Sequence, residues 1–303
     1  MKTTWFKNYL KSKLKYIILK RYKSRLNWRE APKYENFLRL CQKTNKNKLN
    51  LNTALNDTVK RFENDGFVAL SFKKPEQLAE KILNGIREKE KKGINLWNKD
   101  RRYVDFTKDF EKELEQVFNS EIKEFLESVY KTYFRVYFGV CYRSQRQSKV
   151  ETAGGSQLWH ADGGPGTCIN LMYYLTEATE SNGAMECLPW CESLKIFKKE
   201  QPNESGNTKK NKGSNAKEDT RDILCEWYSS EIEKKYKNSI VRPTGSKGMF
   251  LAFRNNILHK GGFPEIGRER IVCVFHIYPS IANRQHNIPE KIGPYPKDPN
   301  WKE

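Results

Sequence analysis

The stretch SQLWHADGGPG (156–166) sets an imidazole and a carboxylate two positions apart, His160 and Asp162, in a chain with only four histidines. If residues 158–162 are extended, both side chains share one face, because side chains alternate along a strand. One metal ion can then meet both. A mononuclear Fe(II) site of the facial type takes two histidines and one carboxylate and leaves positions open, so a second histidine must come from elsewhere. His259, His276 and His286 remain. His259 lies in RNNILHKGG, after the strand-like GMFLAF (248–253), at a strand edge whose glycines permit close approach, and is the best candidate. Eleven residues on, Arg270 opens RIVCVFHIYPS (270–280). A guanidinium in the mouth of a β-core calls for an anion, and a carboxylate offers it a bidentate partner. A surface position is the competing reading for Arg270, with Arg268 a near-register rival. His276 shares a face with Arg270, Val272, Val274 and Tyr278 and reads as a satisfied core histidine. His286, in the proline-bearing NIPEKIGPYPKDPNW, reads as solvated, and Trp159 reads as a packing residue.

These residues need a scaffold, and the chain changes texture along its length. LNTALNDTVKRFENDGFVAL (51–70) predicts a short helix, a turn at Asp65-Gly66 and a strand. Helical patterns follow at Pro75–Lys91, with Pro75 in the first turn, and at Phe110–Tyr130. Strand-like runs then take over: 133–144, 167–176, 184–188, 248–253 and 270–280. A helical front followed by many short strands predicts a mainly β fold with flanking α-helices, a jelly-roll or barrel. The polar stretch 198–222 is expected to be a mobile surface insertion.

Residues 1–50 hold eleven lysines and four arginines against Glu30 and Glu35, so +13 of the net +19 charge sits there. Within them WFKNYLKSKLKYIILKRYKSRLNW predicts a basic amphipathic helix. Three readings compete for it: a helix packed on the main domain, a helix drawn to a membrane surface, or a nucleic-acid arm. No specific nucleic-acid motif accompanies the charge. Trp5 and Trp28 suit either interfacial anchoring or core packing. The expected organisation is this segment (1–50) followed by one domain (51–303). No run approaches the roughly 20 apolar residues that span a bilayer, and no signal-peptide core is expected, which favours a cytoplasmic protein, with membrane-peripheral contact through residues 1–30 left open. Seven scattered cysteines point to reduced thiols; the close pair Cys187 and Cys191 reads as a buried thiol and a loop thiol rather than a zinc site.

The ordered set His160-x-Asp162, His259 and Arg270 resembles the Fe(II)- and 2-oxoglutarate-dependent oxygenases, and within them the phytanoyl-CoA dioxygenase-like family. DGFVAL (65–70), SQLWHAD, YYLTEATESNGAMECLPW (173–190) and RERIVCVFHIYP share in the resemblance, which spans about residues 55–280. It implies a double-stranded β-helix of the jelly-roll or cupin type. It implies His160, Asp162 and His259 as iron ligands, Arg270 as the partner of the distal carboxylate of 2-oxoglutarate, and O2 as cosubstrate. The implied reaction is hydroxylation of a small-molecule, lipid or sugar-bearing metabolite, with release of succinate and CO2. Asp162 favours hydroxylation, since related halogenases lack this carboxylate. Family members often carry serine two residues after the distal histidine; Gly261 stands here, and Asn170, Thr167 and Tyr142 are candidate replacements for the cosubstrate hydrogen bond. Selectivity is expected from loop 163–166, from 198–222 and from the helical front. The alternative is a catalytically silent basic β-core protein that binds a membrane surface or nucleic acid through its N-terminal segment.

Overall fold

A computed structural model describes residues 31–46, 53–72, 75–103, 105–118, 120–146, 155–162, 167–199 and 216–283, with isolated positions at 10, 13, 14 and 49. The basic segment before residue 31, the tail with His286 and the loop 163–166 thus lie almost wholly outside the described residues.

Helix α1 (Ala31–Asn45) closes on the β-core: the Gln42 amide donates to Tyr130 O at 2.8 Å, and the Asn45 amide to Thr132 Oγ1 and to Ile281 O, each at 3.0 Å. Helix α2 (Asn56–Asp65) ends on Gly66 at φ 81, whose N–H donates to Phe62 O. A Cβ there would lie 2.5 Å from Ile257 Cγ2, so both the left-handed turn and the packing require glycine. The expected helix, turn and strand are therefore present, the strand being β1 (Phe67–Leu70). Helix α3 (Pro75–Lys91) has the expected bounds and buries Ala79, Ile82 and Ile86, a helical stripe. Burying each isoleucine contributes roughly 1.5–3 kcal/mol.

Strand β2 (Arg102–Tyr103) follows. The single helix expected over Phe110–Tyr130 is two, α5 (Glu111–Val117) and α6 (Ser120–Tyr130), and a short helix not expected, α4 (Phe106–Asp109), precedes them. Phe110 breaks the first joint at φ −126, and its ring packs where a Cβ on Gly85 would come within 2.7 Å. Phe118, before the second joint, turns its ring edge-on to Phe275 at 5.2 Å. Burial of these two rings against the core overrides local helical propensity.

The strands follow as β3 (Tyr133–Gln145), β4 (Ile169–Tyr174) and β5 (Glu186–Cys187). Helices α7 (Trp190–Lys198) and α8 (Ala216–Lys235) come next. Part of the expected 198–222 insertion is therefore helical. Cys225, Tyr228 and Ile232 are buried at three- and four-residue steps, and this packed half lets the helix propagate back into the polar stretch. Cys191 is exposed on α7 rather than on a loop, Cys187 is buried in β5, and all seven cysteines are free thiols. Strands β6 (Phe250–Arg254), β7 (His259–Lys260) and β8 (Glu269–Ser280) complete the chain.

Six strands form one antiparallel sheet in the order β1-β6-β4-β8-β3-β2, while β5 and β7 form a second, smaller one. Single bridges extend the small sheet to His160 on the β7 side and Val241 on the β5 side. One face of the large sheet (Leu171, Tyr173, Ala252, Cys273, Phe275) packs on the helices; the other (Met172, Tyr174, Leu251, Val272, Val274) shares a core with Met185, Cys187, Leu188 and Leu258 of the small-sheet side. This is the double-stranded β-helix with flanking helices. Strands β4 and β8 are buried on both faces, which explains their nearly continuous apolar runs.

A bulge in β3 sets the inner wall. Pairing with β8 runs Val136↔Ile277 and then Phe138↔His276, skipping Tyr137. Phe134 and Val136 face the helices before the bulge; beyond it Cys141 takes that side, and Val140 turns into the inner core. By the same alternation Tyr142 and Ser144 face inward.

Candidate metal centre

Residues 155–157 form a 3-10 turn, and only His160 makes a β-bridge, so the expected strand end is a single bridged residue. That bridge is to His259. His160 N–H donates to His259 O and His259 N–H to His160 O, both at 2.9 Å. In such an antiparallel pair the side chains leave on the same face, and the two imidazole centroids are 4.4 Å apart. Asp162 is fixed by its own N–H, which donates to Asn255 O at 2.8 Å.

The carboxylate then meets both rings: Oδ1 is 3.7 Å from His160 Nε2, and Oδ2 is 3.8 Å from His259 Nε2. Among the described residues these three form a group whose ligand atoms all lie within 4.8 Å of one another. His160 Nδ1 lies 2.7 Å from Leu158 O, and His259 Nδ1 lies 3.0 Å from Ile257 O. A carbonyl only accepts, so each Nδ1 carries the proton in the neutral ring and each Nε2 presents its lone pair inward. Two lone pairs and a carboxylate that converge in a buried place repel unless a cation sits between them. Two imidazoles and one carboxylate, each oriented by a backbone contact, therefore fit a divalent iron.

Asn170 on β4 donates from Nδ2 to Asp162 Oδ2 at 2.7 Å. Burial pushes the Asp162 carboxyl up, but His259, His160, His276 and the Asn170 bond together hold it below the usual carboxylate range. Behind Asn170, paired with it across β4 and β8, His276 is buried, and burial pushes its imidazole down to about 4 despite the pull of Asp162. It is thus a neutral core side chain at the rear of the site.

Arg270 is buried and Arg268 exposed, which separates the two candidates. Arg270 stands opposite Ser144 in the β3–β8 register; it donates to Ser144 Oγ at 3.2 Å and to Gly183 O, while its Nε has no hydrogen-bond partner among the described residues. Burial lowers its pKa from the usual guanidinium value. A Cβ on Gly261 would lie 2.6 Å from Arg270 Nη2, so the residue two beyond His259 is where this guanidinium needs room. Thr167 is buried with its hydroxyl unpartnered among the described residues, and Tyr142 lies half-buried on the inner wall. The amide group of Asn170 is already engaged by Asp162. Trp159 is buried in the core between the sheets.

The Asn170–Asp162 bond and the Ser144–Arg270 pair have no sequence signal. The first spans a loop, and the second joins strands 126 residues apart.

The family model described as "Phytanoyl-CoA dioxygenase (PhyH)" matches residues 57–263. No curated protein matches the chain. Among solved structures, EctD from S. alaskensis, with 2-oxoglutarate and 5-hydroxyectoine, is 12% identical, covers 77% of this chain and 78% of its own, and gives a TM-score of 0.50. AviO1 from Streptomyces viridochromogenes Tue57 is 15% identical over 78% of this chain and 98% of its own, with a TM-score of 0.46. The epimerase SnoN from nogalamycin biosynthesis is 13% identical over 75% and 81%, with a TM-score of 0.48. The likeness to EctD extends to the fold.

Proposed function

Because the chain belongs to the phytanoyl-CoA dioxygenase family, we propose that it is an Fe(II)- and 2-oxoglutarate-dependent dioxygenase that hydroxylates a small-molecule, lipid or sugar-bearing metabolite. The observation that carries the reading is the convergence of His160 Nε2, His259 Nε2 and the Asp162 carboxylate, with both Nδ1 protons held by backbone carbonyls. These three residues would hold the iron. Bound there with 2-oxoglutarate, iron supplies the O2-dependent chemistry that couples decarboxylation to succinate and CO2 with oxidation of a substrate C–H bond.

The chain's own residues set the conditions for that chemistry. Arg270, buried without a carboxylate partner among the described residues, is suited to grip the distal carboxylate of 2-oxoglutarate in its planar fork, and Ser144 and Gly183 O orient it. Asn170 holds the Asp162 carboxylate in one rotation. Val140, Met172, Val272 and Val274 line the inner wall with apolar surface and exclude water. Asp162 occupies the position that a halide would need, which favours hydroxylation. For residues 1–30 we propose a peripheral contact with anionic lipid: Leu10 and Leu14, one helical turn apart, are both exposed.

The test is anaerobic Fe(II) binding followed by succinate formation from 2-oxoglutarate. The wild type should bind one iron and form succinate above background without added substrate. His160→Ala and Asp162→Ala should each lose about 100-fold or more in metal affinity. No iron-dependent succinate above background, or a level unchanged in both variants, rules the reading out and leaves a silent β-core protein.

A further inference from the structure

Two of the seven free thiols stand directly opposite each other. Cys141 on β3 and Cys273 on β8 are partners in the strand register, and among the described residues no other two cysteines are paired across strands. Backbone bonds fix the kind of pair. Leu175 N–H donates to Ile271 O, so Ile271, and by alternation Cys273, turns its peptide groups toward β4. Arg143 N–H donates to Arg101 O, so Arg143, and by alternation Cys141, turns its own toward β2. Cys141 and Cys273 therefore form a non-hydrogen-bonded pair, the kind whose side chains approach most closely. In such a pair the α-carbons lie about 4.5 Å apart, within the roughly 4.4–6.8 Å that a disulfide spans.

Both thiols are buried on the helix face of the sheet, in one row with Tyr103 on β2 and Tyr173 on β4. Burial pushes the Cys273 thiol well above its ordinary value, and a hydrogen bond with Cys141 adds to that, which puts the two sulfurs in contact. The same two strands carry the guanidinium suited to 2-oxoglutarate. Three residues along from the pair, Ser144 on β3 faces Arg270 on β8 and accepts from it at 3.2 Å. Opposed Cβ atoms in a sheet lie about 4.5–5.5 Å apart, whereas a disulfide holds them at about 3.8 Å. Closing the bond thus draws β3 and β8 together beside Arg270.

We propose that Cys141 and Cys273 form a redox site: a peroxide closes them into a cross-strand disulfide that weakens 2-oxoglutarate binding, and a dithiol reverses it. The effect on the cosubstrate rests on the oxygenase reading; the disulfide itself does not. One sulfur attacks a peroxide oxygen, the O–O bond breaks and water leaves; the second sulfur then displaces the sulfenic oxygen as a second water. The thiol pair loses two electrons and two protons, and the peroxide takes them up. Shielded thiols attack slowly, so the site answers sustained oxidation and not a brief pulse.

The experiment uses the full chain, stripped of metal by a chelator, held in hydrogen peroxide, alkylated and digested for peptide mass spectrometry. The wild type should yield the Cys141 and Cys273 peptides joined and, after dithiothreitol, separate. Cys191→Ser, which removes the exposed thiol on α7, should leave the joined product unchanged, and Cys273→Ala should abolish it. After removal of peroxide and loading with Mn(II), a stand-in for Fe(II), 2-oxoglutarate is titrated by calorimetry. The oxidised wild type should bind it about fivefold or more weakly than the reduced, and dithiothreitol should restore the reduced value. Cys273→Ala should bind it alike before and after peroxide. Absence of the joined peptide once Cys191 is fully oxidised, or its appearance only in denaturant, overturns the redox site. A joined peptide with unchanged 2-oxoglutarate affinity overturns its control of the cosubstrate. Failure of the reduced, Mn(II)-loaded wild type to bind 2-oxoglutarate overturns the oxygenase reading, while the peptide masses still decide the disulfide. Should Cys273→Ala not fold, reversal by dithiothreitol in the wild type decides.

Discussion

At the scale of the residue, the candidate centre works by directing lone pairs. Protons on both Nδ1 atoms are fixed by Leu158 O and Ile257 O, so the histidines are ready to ligate without tautomer exchange. The Asp162 carboxylate accepts and needs a donor instead; Asn170 supplies the restraint with one charge-assisted bond of 2.7 Å. Asn170→Ala should therefore weaken Fe(II) or Mn(II) binding by about 10–100-fold with little change in thermal stability, read by metal titration. An unchanged titration would show that the carboxylate needs no support. His160, Asp162, His259 and Arg270 are legible in the sequence because each stands beside a turn or at a strand start. Asn170 is legible only as a candidate cosubstrate contact: INLMYY reads as a plain buried strand, and the bond of its amide to Asp162 arises only when loop 155–162 folds across it.

Among the elements, turns and bulges hold the strands in place. The Asn182-Gly183 turn is visible in the sequence, but the reason for its glycine is tertiary. Gly183 has φ 76, and a Cβ there would meet Gly262 O at 2.6 Å. Gly183→Ala should therefore destabilise the fold by about 1–3 kcal/mol, measured by chemical denaturation. Since Gly183 O accepts from Arg270, the same variant should raise KM for 2-oxoglutarate more than it lowers kcat. Helix bounds follow the same division. Pro75–Lys91 matches its expected span because propensity and apolar period agree, whereas the helix expected over 110–130 starts only after Phe110 and breaks at Phe118, residues whose rings seek the core and not the helix axis.

For the whole molecule, burial at the rear of the site makes stability depend on pH. The imidazole of His276 is held near a pKa of about 4 against an ordinary 6.5. Its folded value is depressed, so the unfolded chain takes up a proton that the folded chain refuses. The stability this group permits is full above about pH 6.5 and declines as pH falls toward 4. Metal-free wild type should lose about 2 kcal/mol more than His276→Asn between about pH 7.5 and pH 5, by denaturant titration at each pH. Equal losses would show that His276 is not a buried neutral side chain. At the other end of the chain, deletion of residues 1–30 should abolish salt-sensitive binding to anionic vesicles while succinate formation persists. Unfolding on deletion, with no vesicle binding by the full chain, would make the segment a packing element. Among the described residues no helix is long and apolar enough to cross a membrane. What the sequence by itself determined was the stock of ligating residues, the helical front and the apolar strands, since these rest on composition and short periods. The tertiary structure decided which of them face one another. Omitting Tyr137 from the β3–β8 ladder turns Tyr142 and Ser144 inward, and it thereby places Ser144 against Arg270 and Tyr142 beside Arg102. That register joins strands more than a hundred residues apart and is set by the packing of both faces of the sheet, which no local pattern encodes.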